Sequence, residues 1–339
     1  MSLKEALLYQ KLDDGKVSCF LCSHRCRIAD GRFGTCRVRE NRGGTLFTHS
    51  YGKLIARNVD PIEKKPLYHF LPGTASYSIA AVGCNFQCDF CQNWQISQAS
   101  EAKTLGVLAR KTEPEEVVRQ ALLSGSRSIS YTYTEPTVFF EFAYDVARPA
   151  KEKGLANVFV TNGFMTGEML DMAAPFLDAA NVDLKSFRND FYRRICKGKL
   201  DPVLRSIEKM KQLGIWVEVT TLIVPGLNDA AEEMEGIARF IAGVDKKIPW
   251  HISRFHPQYK MDHLDATPMR TMDRAYEIGK KAGLEYVYLG NVMGKGNHTY
   301  CPECGTLLIR RSGFSITENR IKDGTCPRCG NAIPGVGMG

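Results

Sequence analysis

No run of eighteen apolar residues occurs in the chain, which excludes an ordinary membrane-spanning helix. The start, Met1-Ser2-Leu3-Lys4-Glu5-Ala6, lacks the apolar core of a secretory signal, so a cytoplasmic protein is the expectation. There is no low-complexity tract and no repeat of about twenty to fifty residues, which excludes solenoids and propellers. What remains is an ordinary globular composition, 44% hydrophobic and 24% charged, with ample material for a core. The 339 residues suit an α/β barrel with additions better than one average domain.

Cysteine is not scarce. Twelve are present, and in a reducing compartment clustered cysteines read as metal ligands rather than disulfides. They fall into three sets, with Cys196 left over. The central set, Cys84, Cys88 and Cys91, has C-x3-C-x2-C spacing on a loop after the apolar run Ser78 to Val82. Thiolates are soft ligands that select iron–sulfur clusters or zinc. A cubane [4Fe–4S] cluster held by three cysteines keeps one iron open, which marks a catalytic centre, whereas four ligands close a structural one. The competing reading is a structural zinc site that borrows a fourth ligand.

The C-terminal set, Cys301-Pro302-Glu303-Cys304-Gly305 and Cys326-Pro327-Arg328-Cys329-Gly330, forms two knuckles of a zinc ribbon or rubredoxin-like site, with zinc expected. The N-terminal set, Cys19, Cys22, Cys26 and Cys36, staples a loop-rich segment. Zinc is the simplest expectation there, and an auxiliary iron–sulfur cluster that relays electrons is the alternative. Cys196, among Arg193, Arg194 and Lys197, reads as a buried inert thiol, against a radical hydrogen donor or nucleophile. The formal charge of +8 counts every thiol as neutral. Two zinc sites at −2 and one cluster at −1 lower it to about +3, weak support for a polyanionic partner.

Three units follow: a metal-knot module and linker over 1–72, a catalytic domain over 73–292, and the ribbon lobe over 293–339. Within the linker, the three prolines of Asp60 to Gly73 exclude a long helix; packing is the default reading of Lys64, Lys65 and His69, with substrate contact as the alternative. From Ser76 onward, β-rich runs alternate with helical patterns, which argues for parallel β/α units. Strands are expected at Ser76–Val82, Ser128–Tyr133, Asn157–Val160, Asn181–Leu184, Trp216–Val224 and Trp250–Phe255, with a seventh at Tyr286–Leu289. Thr112-Glu113-Pro114-Glu115 reads as a capping box. Asp229 and Thr271 are expected to open two further helices.

In such folds chemistry sits at the C-terminal ends of strands. Those ends carry the cysteine loop, Glu135 before Pro136, Thr161-Asn162-Gly163, Asp183 and Lys185 on one strand face, Thr220 and Thr221, and His251, Arg254 and His256.

The central motif, with Phe90 before its last cysteine and Gln92-Asn93 after it, resembles radical S-adenosylmethionine (SAM) enzymes of the pyruvate formate-lyase activating enzyme group. The Glu-Pro, Thr-Asn-Gly, Asp-Leu-Lys and Val-Pro-Gly landmarks follow in that group's order. The whole chain resembles the radical SAM member of the AmmeMemoRadiSam system. That likeness is carried by the leading four cysteines, Asp60-Pro61-Ile62-Glu63-Lys64-Lys65-Pro66-Leu67-Tyr68-His69-Phe70, the Cys-Gln-Asn ending, and the ribbon after Leu289-Gly290-Asn291. The resemblance implies a partial (β/α)6 barrel and a [4Fe–4S] cluster on Cys84, Cys88 and Cys91. It also implies SAM near Phe90, Asn93, Glu135, Thr161, Asn162, Asp183 and Lys185. Thr221 stands where the group has a SAM-contacting histidine, Val160 where it has an acidic residue, and Tyr133-Thr134-Glu135 where many have Gly-Gly-Glu. Arg254 or His256 is expected to hold an anionic part of SAM or substrate. The implied partners are a low-potential donor (flavodoxin or ferredoxin) and Memo-like and AMMECR-like proteins. The substrate is unassigned, with a protein residue or small molecule ahead of an RNA base docked by the ribbon; a non-enzymatic electron-transfer or scaffold protein is the rival class.

Overall fold

The computed structural model describes residues 3–98, 110–292 and 294–339. Its centre is a parallel sheet of strands that read as near-continuous apolar runs, as strands covered on both faces must. In chain order these are β1 (Lys53–Pro61), β2 (Ala75–Ala81), β3 (Ser128–Tyr131), β4 (Ala156–Thr161), β5 (Ala179–Asp183), β6 (Trp216–Ile223), β7 (Trp250–Arg254) and β8 (Val287–Gly290). Strands β2 to β8 pair in sequence order and all in parallel, so the seventh expected strand forms. The sheet is open. It ends at β8 on one side and, beyond the antiparallel β1, at the short strand Arg110–Lys111 on the other. Strand β1 lies before residue 72 and still pairs with β2 along its length.

The covering helices bury one stripe each. They are α1 (Pro114–Leu123), α2 (Phe140–Glu152), α3 (Gly167–Ala173), α4 (Leu200–Gln212), α5 (Ala231–Val244) and α6 (Met269–Lys281). On α5 the buried face contains Met234, Ile237, Ala238 and Ile241, as the spacing requires. The N-cap lies one residue after Thr112, the position the capping-box reading gave. Glu113 is the N-cap, without a side-chain cap bond, and Pro114 takes the first helical position, where its missing N–H costs nothing. Helix α6 begins two residues before Thr271, after Pro268.

The N-terminal module holds more strand than its turn-rich sequence suggests. Two three-stranded antiparallel sheets form, one from Tyr9–Lys11, Val17–Cys19 and Arg27–Ile28, the other from Lys4–Glu5, Thr45–Thr48 and Arg39–Arg42. The strap Ile62–Leu71 has one 3-10 turn, Ile62–Lys64, and crosses the N-terminal ends of the parallel strands. There Asn181 donates to the Pro66 carbonyl at 2.8 Å, and Glu218 accepts from the backbone of Tyr68 and His69. The ribbon packs on this strap: Leu71 and Val336 exchange backbone bonds with Val336 and His69, at 2.7 and 2.9 Å. The cysteine loop follows the C-terminal end of β2, so loop and ribbon occupy opposite ends of the sheet. Among the described residues no helix is long and apolar enough to cross a membrane.

Candidate active site

Cys84, Cys88 and Cys91 line one cleft of about 330 Å3, together with residues from the ends of five strands beyond β2. That is a ligand-sized space. A larger groove, of about 930 Å3, runs past Gly167, Asn189 and Gln212. No cysteine lines it.

Glu135 is the best-defined acid of the site. Pro136 excludes helical geometry before it, and Glu135 is extended (φ −100°, ψ 115°) as the N-cap of Pro136–Phe139. Its side chain is 2% exposed. Oε1 accepts from the Thr137 amide (3.1 Å), the Thr137 hydroxyl (2.6 Å) and the Thr161 hydroxyl (2.7 Å), and Oε2 from the Asn162 amide (2.8 Å). Burial pushes this carboxyl above its ordinary range, against those hydrogen bonds. An ionised carboxylate has about four acceptor positions, two on each oxygen, so Oε2 retains capacity. Asn162 in turn donates to Asn85 Oδ1 (2.7 Å) and lies 3.7 Å from Cys84 Sγ. Gly163 follows with φ +69°, and a Cβ there would come within 2.7 Å of Val182. Only glycine lets this turn close against β5.

Asp183 and Lys185 share the cleft face and form an ion pair at 2.9 Å. The Lys185 ammonium lies 5.7 Å from the Phe90 ring centre. Burial opposes its charge, but Asp183 and the thiols of Cys88 and Cys196 outweigh burial and hold the lysine well above its usual range. Asn93 donates to the Tyr133 carbonyl at 2.8 Å, which ties the end of the cysteine motif to the turn before Glu135.

Three expected ligand contacts are not brought to the cleft. Strand alternation decides the first two. On β6, Thr220 and Leu222 face the cleft; Thr221 points the other way, donating to the Leu184 carbonyl (2.9 Å) and accepting from Trp250 Nε1 (3.0 Å). On β7, Ser253 lines the cleft, while Arg254 donates to the Thr267 carbonyl at 2.8 Å. His256 is exposed beyond the strand.

Residues that the sequence reading left without a ligand role also lie close by. Tyr133 adopts φ +61°, a conformation costly for a bulky side chain. Its hydroxyl donates to Asp60 and accepts from Asn58, and the ammonium of the buried Lys65 lies 4.7 Å from its ring centre. The signal was the replacement of glycine in Gly-Gly-Glu. Cys196 ends a π-helical turn, Tyr192–Cys196, of the kind often found at functional sites. Its carbonyl and that of Ile195 accept from Gln87 and Asp89 at 3.0 and 3.2 Å. Its thiol contacts Cys88, which lowers the Cys88 thiol against the opposing effect of burial. No spacing rule reaches across the roughly hundred residues between them.

At the far end, the Sγ atoms of Cys301, Cys304, Cys326 and Cys329 all lie within 4.8 Å of one another, a group able to hold a metal. Both knuckles use one geometry. Gly305 and Gly330 donate back to Cys301 and Cys326 at 3.0 and 2.9 Å, with φ +70° and +75°.

The sequence model of the radical SAM superfamily matches residues 78–241. An uncharacterised protein of Methanocaldococcus jannaschii is 45% identical over 98% of this chain and 99% of its own length. A protein of the same organism provisionally named a glycyl-radical enzyme activating enzyme is 27% identical, covering 66% of this chain and 89% of that one. Among solved structures, Streptococcus suis SuiB bound to S-adenosylmethionine aligns with a TM-score of 0.51 at 11% identity, over 71% of this chain and 56% of that one. At that identity the likeness is one of fold.

Proposed function

Because the chain belongs to the radical SAM superfamily, we propose that it is an activating-enzyme-like oxidoreductase that uses SAM to abstract hydrogen from a residue of a partner protein or from a small molecule. Membership implies a [4Fe–4S] cluster and SAM. The observation that carries the reading is one cleft lined by three thiols, Glu135, Asn162 and Lys185 at the C-terminal ends of parallel strands. The donor set fits a cluster on Cys84, Cys88 and Cys91: three soft thiolates lie on one loop, and the neighbouring Asn85 keeps a buried Nδ2 without a partner, an N–H available to an inorganic sulfide. When bound, the cluster supplies the electron that cleaves the SAM sulfonium to methionine and a 5′-deoxyadenosyl radical.

The chain's own groups bind and orient. Glu135 Oε2 accepts the SAM ammonium, and the Asn162 amide that already bonds Oε2 fixes its direction. Lys185, held charged by Asp183, faces an anionic part of SAM or substrate. Phe90 and Leu222 keep water from the reacting C–H. We assign zinc to the C-terminal ribbon and a low-potential flavodoxin or ferredoxin as donor, in the cytoplasm, with Memo-like and AMMECR-like proteins as the first candidate partners. An RNA substrate docked by the ribbon is disfavoured. Arg311 is 3% exposed, with its guanidinium 4.1 Å from the Tyr68 ring centre and donating to the Tyr68 carbonyl, and the ribbon sits at the opposite end from the cleft.

The test is anaerobic: reconstitute the full chain, add dithionite and SAM, and measure 5′-deoxyadenosine. Wild type should form it and Cys88→Ala should fall by at least about a thousandfold, about 4 kcal/mol of barrier. Addition of the partner proteins should then raise turnover. Equal formation by both chains would sink the reading.

A further inference from the structure

The three cysteine sets differ in spacing. In the ribbon, Cys301 and Cys329 approach to 3.6 Å and Cys304 and Cys326 to 3.7 Å. A tetrahedral zinc with bonds of about 2.3 Å sets a sulfur–sulfur edge of about 3.8 Å, so the ribbon is drawn to the size of one ion. Among the described residues it is the only set whose sulfurs all lie within 4.8 Å of one another. Neither the central three nor the N-terminal four is drawn in so far. Cys19, Cys22, Cys26 and Cys36 instead surround a small void of about 20 Å3, closed by Leu21, Ile28 and Val138.

A second observation concerns Arg39. It is 1% exposed and lines that void. Its Nη1 donates to Cys19 Sγ at 3.2 Å, its Nη2 pairs with the buried Glu141, and its Nε is buried without a partner. A zinc on four thiolates offers no acceptor beyond the four sulfurs. A cubane cluster also presents inorganic sulfides on its faces, and a buried N–H beside it then has a place to donate. The repeated Cys-Pro-x-Cys-Gly knuckle of the ribbon is absent from this set.

The third observation is position. The module is fastened to the cysteine loop itself. His24 Nε2 donates to the Asn85 carbonyl at 2.7 Å, and Ser23 donates its amide to the Phe164 carbonyl at 3.1 Å. A Cβ at Gly83, the residue before Cys84, would lie 3.4 Å from the Cys36 carbonyl oxygen and 2.8 Å from Val38. Thr137, which donates to Glu135, lines the N-terminal void. The two cysteine sets are therefore neighbours through a single layer of residues.

We propose that Cys19, Cys22, Cys26 and Cys36 bind an iron–sulfur cluster and not zinc, and that this site is the electron entry to the central cysteine loop. As a relay it takes one electron from a reduced flavodoxin or ferredoxin and passes on that same electron; no bond is made or broken and no proton is required. The metal assignment stands apart from the proposed function, whereas the relay role rests on it.

The experiment uses the full chain, reconstituted anaerobically, with iron, sulfide and zinc counted per chain. Wild type should hold about eight irons and one zinc. The triple variant Cys84→Ala/Cys88→Ala/Cys91→Ala should keep about four irons with matching sulfide, and give a reduced-cluster electron paramagnetic resonance signal on dithionite addition. About four irons and two zincs in wild type, with none of the iron left in the triple variant, would overturn the assignment even if either variant folds poorly. For the relay, Cys22→Ala/Cys26→Ala should keep 5′-deoxyadenosine formation with dithionite and lose at least tenfold with reduced flavodoxin. Equal loss with both reductants would remove the relay role while leaving the metal count to decide the cluster. Failure of wild type to cleave SAM would instead strike the proposed function, and the relay role with it, while the metal count still decides the cluster.

Discussion

Two buried glutamates stand at opposite ends of the same sheet, and each accepts four hydrogen bonds. Glu218, near the start of β6, is fully buried. Its Oε1 accepts from the His69 amide (2.8 Å) and Trp216 Nε1 (3.0 Å), its Oε2 from the Tyr68 amide (3.0 Å) and His251 Nε2 (2.6 Å). Burial raises its pKa, but the His251 hydrogen bond and charge, with the backbone donor, overcome it and hold the carboxyl below its usual range. Among the described residues Glu135 has no cationic partner, three of its four donors crowd one oxygen, and burial wins. The difference is that Glu218 is closed on all sides and fastens the strap, whereas Glu135 keeps an acceptor position and faces a cleft. Being buried and hydrogen-bonded does not separate a structural acid from a ligand-binding one. The distribution of donors over the two oxygens, and the presence of a counter-charge, does.

The largest effect should come from breaking the closed end. Glu218→Ala leaves His251, Trp216 and two backbone amides without their acceptor and should cost about 3–5 kcal/mol, read as a lowered urea midpoint. A change below about 1 kcal/mol would mean that the strap is not held by this residue. Next is the open end. Glu135→Gln should weaken SAM binding by at least tenfold, about 1.4 kcal/mol, with a smaller stability loss than Glu218→Ala. Isothermal titration and chemical denaturation on the same preparations separate the two readouts.

The pH responses should also differ. Glu135 is raised, so SAM, which favours the ionised form, should bind more tightly as pH rises from 5 to 7, and Glu135→Gln should flatten that rise. His69 belongs to the strap. Its Nδ1 donates to the Pro334 carbonyl (2.7 Å) and its Nε2 accepts from the Tyr288 hydroxyl (2.6 Å). Burial pushes it down to about 4. Its ordinary value is about 6.5. The unfolded chain therefore binds a proton that the fold refuses between those values. This part of stability is whole above about pH 6.5 and is lost as pH falls toward 4. His69→Gln should shrink the drop in urea midpoint between pH 7 and pH 5; an unchanged drop would place it on other groups. The smallest effect is expected at Arg254. Because it bonds Thr267, Arg254→Gln should change SAM affinity by less than about twofold.

Much of the fold is legible in the chain. The six expected strands and the seventh all form, because each is an apolar run too short for a covering helix and bounded by turn residues. The site was legible where residues are close in sequence. The three cysteines, Glu135 before its proline, Thr161 and Asn162, and the Asp183–Lys185 pair all line the cleft. The misjudged positions are matters of parity. Thr221 and Arg254 sit one residue away from cleft-facing Thr220 and Ser253, and a shift of one residue on a strand reverses the face. Lys65 reaches the cleft, and Cys196 reaches Cys88, from distant segments, and no local pattern reports either contact. The same holds for the ribbon's Arg311, which is buried against Tyr68 of the strap.

By itself the sequence determined the ligand chemistry: which thiols travel together, that one set of three stays open, and that the terminal four can close. Those are properties of short spacings, which the backbone holds whatever surrounds them. Only the tertiary structure decided which carboxylate is closed and which is left open, that the leading four cysteines lie against the central loop, and that the ribbon lies at the other end. These depend on contacts between segments as much as 243 residues apart, such as Arg311 on Tyr68, whose energies come from burial and charge pairing that exist only after the chain has folded.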